Sequence, residues 1–287
     1  MKIGIGLPNP VPGTPGTRLV EWARRAEERG FAALATIDRI AYPNYDSLAT
    51  LAAAAGATSR IGLMTNILLA PLYPPVLLAK TTASVDQLSG GRLTLGLAPG
   101  GRPDDYALAG RDFDTRGRDF DAELDLLHRA WRGEPVAGST LPVAPEPVNG
   151  ARVPILFGGN GERAIRRVVT WGDGWTSGGG GPAMAAPFVE RVRAAWKEAG
   201  RQGEPRLAAL TYFSMGDDAT ADSMAYLRHY YAFAGDFAEQ IAAGALRGEA
   251  AVRDAVSAYE EIGITELYFD PTVARLDQVD RLADAVL

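Results

Sequence analysis

Residues 79–101 read AKTTASVDQLSGGRLTLGLAPGG and join a helix, a tight glycine turn and a strand that runs into a second glycine pair. Leu77, Leu78, Thr81, Val85 and Leu88 fall within one arc at about 100° per residue, which predicts a helix with a single buried stripe. Gly90 and Gly91 close it, because a glycine just past the last periodic residue takes a positive φ at little cost. The strand Leu93–Leu97 follows at once. Pro99, Gly100 and Gly101 stand at its carboxyl end, where missing side chains let a flat ligand approach the backbone. Gly100 and Gly101 are therefore candidate cofactor-binding residues.

The same alternation extends in both directions. Eight strand-like runs are expected, Ile3–Leu7, Ala32–Ile37, Gly62–Leu69, Leu93–Leu97, Pro154–Phe157, Gly174–Ser177, Leu207–Met215 and Glu266–Asp270, with helical runs between them. Leu19, Trp22, Ala23 and Ala26 make one helical face, and Gly30 ends that helix before Phe31 begins the return. Strands alternating with helices imply parallel βαβ units, and 287 residues suit one α/β barrel, a single (β/α)8 TIM barrel over 1–287.

Two segments break the rhythm. Residues 133–153 are rich in proline, glycine and valine and read as an irregular excursion. Residues 217–248 form an insertion after strand seven. There Met224, Leu227 and Tyr231 share one helical face, and Tyr226, Tyr230 and Phe233 the other. A helix apolar on two sides is covered on two sides, so the insertion reads as a cap over the barrel mouth, with Tyr226, Tyr230 and Phe233 as candidate substrate contacts. Packing without ligand contact is the plainer alternative.

Composition narrows the function. With 47% hydrophobic residues the chain can bury a sizeable core, and no apolar run reaches the roughly 18 residues of a membrane span. A net charge of −6 without a basic cluster argues against nucleic acid. The absence of cysteine excludes disulfides, thiolate catalysis and cysteine metal sites. The opening MKIGIGLPNP lacks the apolar stretch of a signal peptide, so a cytoplasmic location is expected. The two histidines are far apart and lack clustered carboxylates, so no metal site is expected. His128 lies beside the core stripe Phe120, Leu124, Leu127 and Trp131 and reads as a helix-edge residue. His229 lies in the aromatic cap, where it either reaches a substrate as a catalytic candidate or faces solvent.

Gly158, Gly159, Asn160 and Gly161 follow a strand and open a helix, so free amides and the positive helix end face the mouth, a physical basis for binding phosphate. Ser177 and Gly178 begin a second glycine-rich turn, and the Ser177 hydroxyl could add to the same site. Neither run has the spacing of a dinucleotide-binding βαβ unit.

The segment 79–101, together with DYALAGRDFDTRGRDFDAELDLLHRAWRGEP (105–135) and PILFGGNGERAIRRVVTWGDGW (154–175), resembles the luciferase-like monooxygenase family over most of 1–270. The resemblance implies a single parallel barrel binding FMN or, alternatively, the deazaflavin coenzyme F420. Thr65-Asn66-Ile67 aligns with a bulge, in several members carrying a non-prolyl cis peptide, beneath the flavin's central ring; a plain strand with a buried asparagine is the other reading. Asp38 aligns with an aspartate that many relatives follow with a histidine credited with proton transfer. Here Arg39 follows it, and arginine cannot be a general base. Arg39 is expected either to form a surface ion pair with Asp38 or to hold a substrate carboxylate or a flavin oxygen. The resemblance implies reduced FMN from a separate flavin reductase, oxygen and a small-molecule substrate; the alternatives are hydride transfer with F420 and a flavin-binding protein without catalysis. A homodimer is expected.

Overall fold

The computed structural model describes residues 1–150 and 152–287. The elements run β1 (Lys2–Gly6), α1 (Gly16–Arg29), β2 (Ala33–Thr36), α2 (Ser47–Ala57), β3 (Gly62–Leu69), α3 (Pro75–Ser89), β4 (Leu93–Ala98), α4 (Pro103–Leu108), α5 (Arg116–Trp131) and β5 (Ile155–Gly158). They continue with α6 (Glu162–Trp171), β6 (Gly174–Ser177), α7 (Pro182–Glu198), β7 (Arg206–Ser214), α8 (Thr220–Tyr230), α9 (Phe237–Gly244), β8 (Leu246–Arg247), α10 (Glu249–Glu261), β9 (Glu266–Pro271) and α11 (Asp277–Val286). The order β6-β5-β4-β3-β2-β1-β9-β7 is closed by β6 pairing with β7, giving eight parallel strands. The expected barrel is present. The two-residue β8 is an addition that alternation could not reveal; it pairs with Phe213 and Ser214 at the carboxyl end of β7.

Alternation along the strands separates two cores. Ile3, Ile5, Leu34, Leu63, Leu95, Ile155, Leu207 and Leu267 face the helices. Ala35, Met64, Leu156, Ala208 and Tyr268 fill the barrel interior. Because all eight strands run parallel, their carboxyl ends share one rim, and loops after each strand meet there.

The helix α3 ends at Gly90, φ 67°, whose N–H bonds back to Gln87. Its buried side differs from the leucine stripe. Leu78, Ala79, Thr82, Ala83, Val85, Asp86 and Ser89 are buried, whereas Leu77 and Leu88 are 57% and 67% exposed. Small residues let α3 approach closely, and the Trp131 indole N–H donates to the Ala79 carbonyl at 3.0 Å. Counting large apolar residues alone therefore rotates the stripe. The 133–153 excursion has no helix or strand among its described residues. It is held to α3 by the Val148 N–H on the Asp86 carboxylate and by Lys80 and Gln87 on the carbonyls of Ala144 and Glu146.

The cap departs from expectation as well. On α8, Ser223, Tyr226, Leu227 and Tyr230 form one broad buried side rather than two opposed faces, and Phe233, beyond the helix end, is 61% exposed. No helix among the described residues is long and apolar enough to cross a membrane.

Arg92 explains why an arginine follows the glycine turn. Its guanidinium donates to the carbonyls of Ser89, Ala55, Thr58 and Ile61 and to the Thr58 hydroxyl, at 2.7 to 3.1 Å. It thereby staples the α2–β3 turn to the α3–β4 turn at the amino-terminal end of the barrel. Arg92→Ala leaves these carbonyls without a donor and should cost roughly 3 kcal/mol in urea unfolding. Turnover should be unchanged, because the site lies at the opposite rim; a loss of turnover at unchanged stability would contradict this role.

Candidate active site

The strand ends open onto a cavity of about 190 Å³. Ile37, Asp38 and Arg39 line it after β2, and Asn66, Ile67 and Leu69 from β3. Gly101, Arg102 and Asp105 follow β4, Gly178 and Gly179 follow β6, and Leu210 and Tyr212 belong to β7. Tyr230 and Tyr231 of the cap complete the wall.

On one side lies an irregularity in β3. Thr65 pairs with Leu95, but the next pairing is Leu68 with Leu97, so Asn66 and Ile67 bulge from the ladder. The Asn66–Ile67 peptide is cis. Gly158 makes room for the bulge, since a Cβ there would lie 2.3 Å from Ile67 Cδ1. Asn66 Oδ1 accepts from the Thr176 hydroxyl at 2.9 Å, while its Nδ2 is buried without a partner. Thr65, by contrast, bonds through its hydroxyl to the carbonyl and N–H of Gly96 and does not line the cavity. Alternation turns it toward the helices.

Asp38 is buried and accepts from the Leu69 N–H at 3.0 Å and the Tyr73 hydroxyl at 2.9 Å. Burial pushes its carboxyl up to about 6, against the pull of those two donors. Arg39 does not pair with Asp38 on the surface. It is buried, with Nε 2.7 Å from Asp105 and Nη2 3.1 Å from Asp104. Asp105 also accepts the Ile40 and Ala41 N–H groups. The departure from expectation arises because α4 brings two carboxylates to Arg39, whereas Asp38 turns toward β3.

Tyrosines form the roof. The hydroxyls of Tyr212 and Tyr231 lie 2.6 Å apart. Burial raises the Tyr212 and Tyr230 phenols well above their usual range and pushes Tyr231 up to about 12, so these groups stay protonated and cannot serve as bases near neutrality. Of the expected substrate contacts only Tyr230 lines the cavity. Tyr226 is buried behind it, ring centroids 5.8 Å apart, and Phe233 stands outside on the rim. His229 is exposed, Nδ1 2.8 Å from the Tyr42 hydroxyl, and does not line the cavity; half-buried His128 packs on Trp131.

The glycine loops sit as expected at strand ends. The amides of Asn160, Gly161 and Glu162 donate to no backbone carbonyl among the described residues, and the Trp175 indole N–H anchors the Gly159 carbonyl at 2.9 Å. Ser177 is buried with its hydroxyl on the Gly178 carbonyl, so Gly178 and Gly179, not the serine, reach the cavity. Gly100 packs against Leu69, leaving Gly101 as the lining residue.

Sequence reasoning missed Arg102, Asp105, Tyr212 and Tyr231, and also Asp270. Asp270 lies one residue before the end of β9, opposite Tyr212 in register, is buried with Oδ2 unpartnered, and is held well above the usual carboxylate range by burial. A carboxylate directly after an apolar run near a strand's carboxyl end, as at Asp38, was the available signal.

Asp38 gives stability a pH dependence of defined sign. Below about pH 4 both folded and unfolded chains hold this proton. Between about 4 and 6 the unfolded chain releases it first, so stability falls as pH rises, by roughly 3 kcal/mol in all. The stability of Asp38→Asn relative to wild type should therefore improve by about that amount between acid and neutral pH in urea titrations. A difference constant with pH would show that Asp38 ionises normally.

A model of the luciferase-like monooxygenase family matches residues 1–266. An uncharacterized protein of Mycobacterium tuberculosis is 30% identical over 217 residues, 66% of this chain and 74% of that one. Monooxygenase RslO1 from Streptomyces bottropensis has the same fold at a TM-score of 0.80 and 20% identity, covering 100% of this chain and 98% of that one. The coenzyme F420 dependent tetrahydromethanopterin reductase from Methanopyrus kandleri is as similar, with a TM-score of 0.80, 20% identity and 99% and 98% coverage. The matched span, most of the chain, makes this chain a member of the luciferase-like monooxygenase family.

Proposed function

We propose that the chain is an FMN-dependent monooxygenase that oxidises a small organic molecule in the tyrosine-roofed cavity. The observation that carries the reading is the unpartnered, buried Nδ2 of Asn66 beside the β3 bulge. A buried amide left without an acceptor is costly in an empty fold, and a flavin's heteroatoms would satisfy it. The residues present fit the group: Asn66 would donate to the ring, and the free amides of Asn160–Glu162 would receive the phosphate.

When bound, reduced flavin supplies the electrons and the oxygen-activating chemistry. The chain's own part is positioning and exclusion of water. Tyr212, Tyr230 and Tyr231 close the cavity and donate without accepting a proton. Asp38 lines the cavity and holds a proton on its carboxyl up to about pH 6. Arg39, engaged by Asp105 and Asp104, orients the loop and takes no proton. A separate reductase would supply the reduced flavin.

Mass spectrometry of the cofactor released from purified protein tests the reading, with turnover assays using reduced FMN and reduced F420. FMN release and oxygen-dependent turnover support it; F420 uptake with hydride transfer replaces it. Gly161→Asp probes the phosphate loop. Gly161 is the N-cap of α6, has φ −110° and has open space where a Cβ would go. Aspartate there should leave the helix intact or stabilise it by a few tenths of a kcal/mol, yet oppose a phosphate. FMN affinity should fall at least tenfold with an unchanged or raised melting temperature; unchanged affinity would remove the loop from the site.

A further inference from the structure

Two arginines line the cavity, and they differ in how their donors are used. Arg39 bonds Asp105, Asp104 and the Ala41 carbonyl. Arg102 has aromatic company instead. Its guanidinium carbon lies 4.4 Å from the Tyr230 ring centroid, 4.1 Å from Phe233 and 5.6 Å from Tyr231. Cation–π contacts stabilise the charge and hold the planar group in place, but they accept none of its five N–H donors. Nη1 is buried without a hydrogen-bond partner, and among the described residues no carboxylate pairs with Arg102. The arrangement also accounts for Phe233, an exposed aromatic ring that covers a cation rather than the core.

A pre-positioned guanidinium with an unused edge in a cavity roofed by protonated tyrosines is built for a planar anion. We infer that Arg102 is the substrate-recognition residue of this cavity and that the substrate carries a carboxylate, bound by the guanidinium edge left free by Tyr230 and Phe233. The inference rests on the cavity being the substrate chamber of the oxidoreductase proposed above. It assigns Arg102 to substrate and the glycine loop of 159–161 to the cofactor phosphate.

Isothermal titration of the purified protein with benzoate and with benzamide, its neutral isostere, tests this. Wild type should bind benzoate at least tenfold tighter than benzamide. Arg102→Gln should erase that preference while the protein stays folded with at most a small drop in melting temperature from the lost cation–π contacts, since among the described residues Arg102 makes no hydrogen bond whose loss would add to it. Arg102→Lys, with charge but no fork, should keep part of it. Equal affinity of wild type for both probes, no benzoate binding at millimolar concentration, or an intact preference in Arg102→Gln would overturn the inference. So would an Arg102→Gln variant whose FMN affinity falls tenfold or more while benzoate still binds, because that places Arg102 on the cofactor phosphate. FMN and F420 titrations of wild type separate the two readings. Failure to bind either, with the benzoate preference intact, removes the proposed function and leaves the anion site standing.

Discussion

The buried pair of Arg39 and Asp105 fixes the geometry on which the site depends. Arg39 follows β2 and Asp105 belongs to α4 after β4, so the pair spans the strand end that carries the bulge. Asp105 is fully buried and satisfied on both oxygens, by the guanidinium on one and by the Ile40 and Ala41 amides on the other. Such a pair adds little net stability over an apolar substitute, but removing one partner leaves a buried charge and costs about 3–5 kcal/mol. Its value here is positional. It holds the backbone after Asp38, it keeps Arg102 beside the cavity through the short α4, and the Arg39 guanidinium packs 5.7 Å from the Tyr230 centroid, joining the roof to the rim.

The two ends of the barrel use charge in opposite ways. At the amino-terminal end Arg92 meets five oxygen acceptors, and Arg206 is paired through two nitrogens with Glu266 and reaches the Thr94 hydroxyl. Those polar groups are saturated and hold the barrel together. At the carboxyl end Arg102 Nη1, Asn66 Nδ2 and Asp270 Oδ2 are buried without partners. An unsatisfied buried group costs about 1–3 kcal/mol, so each of these three is a place where the fold gives up stability.

The barrel was legible in the sequence because period-two and period-3.6 patterns alternate with glycine stops, and each strand end placed a loop on the same rim. What was not legible follows from distance along the chain. Asp38 and Arg39 were identified as a pair of interest, but their partners come from Leu69, Tyr73 and Asp105, 31 to 66 residues away. The stripe expected on α3 was rotated, with Leu78 and Val85 buried but Leu77 and Leu88 exposed, because small residues set how closely a helix docks and hydrophobicity alone ranks them below leucine. On α8 the residues assigned to two faces lie within one wide arc, and Phe233 belongs to the turn beyond, where helical spacing no longer applies.

The same long-range logic explains how Asp38 and Arg39, adjacent in the chain, come to sit in different surroundings. An arginine at position 39 cannot take up a proton, but it anchors the α4 carboxylates and leaves Asp38 free to turn toward β3, into surroundings dry enough to raise its pKa to the neutral side of its ordinary value. The Asp38 carboxyl is neutral in acid and an anion above about 6. Within the cavity Arg39 is matched by the α4 carboxylates, so Arg102 is the lining guanidinium that no carboxylate pairs with among the described residues, and the field on a bound anion is most favourable below about pH 6, where Asp38 is neutral.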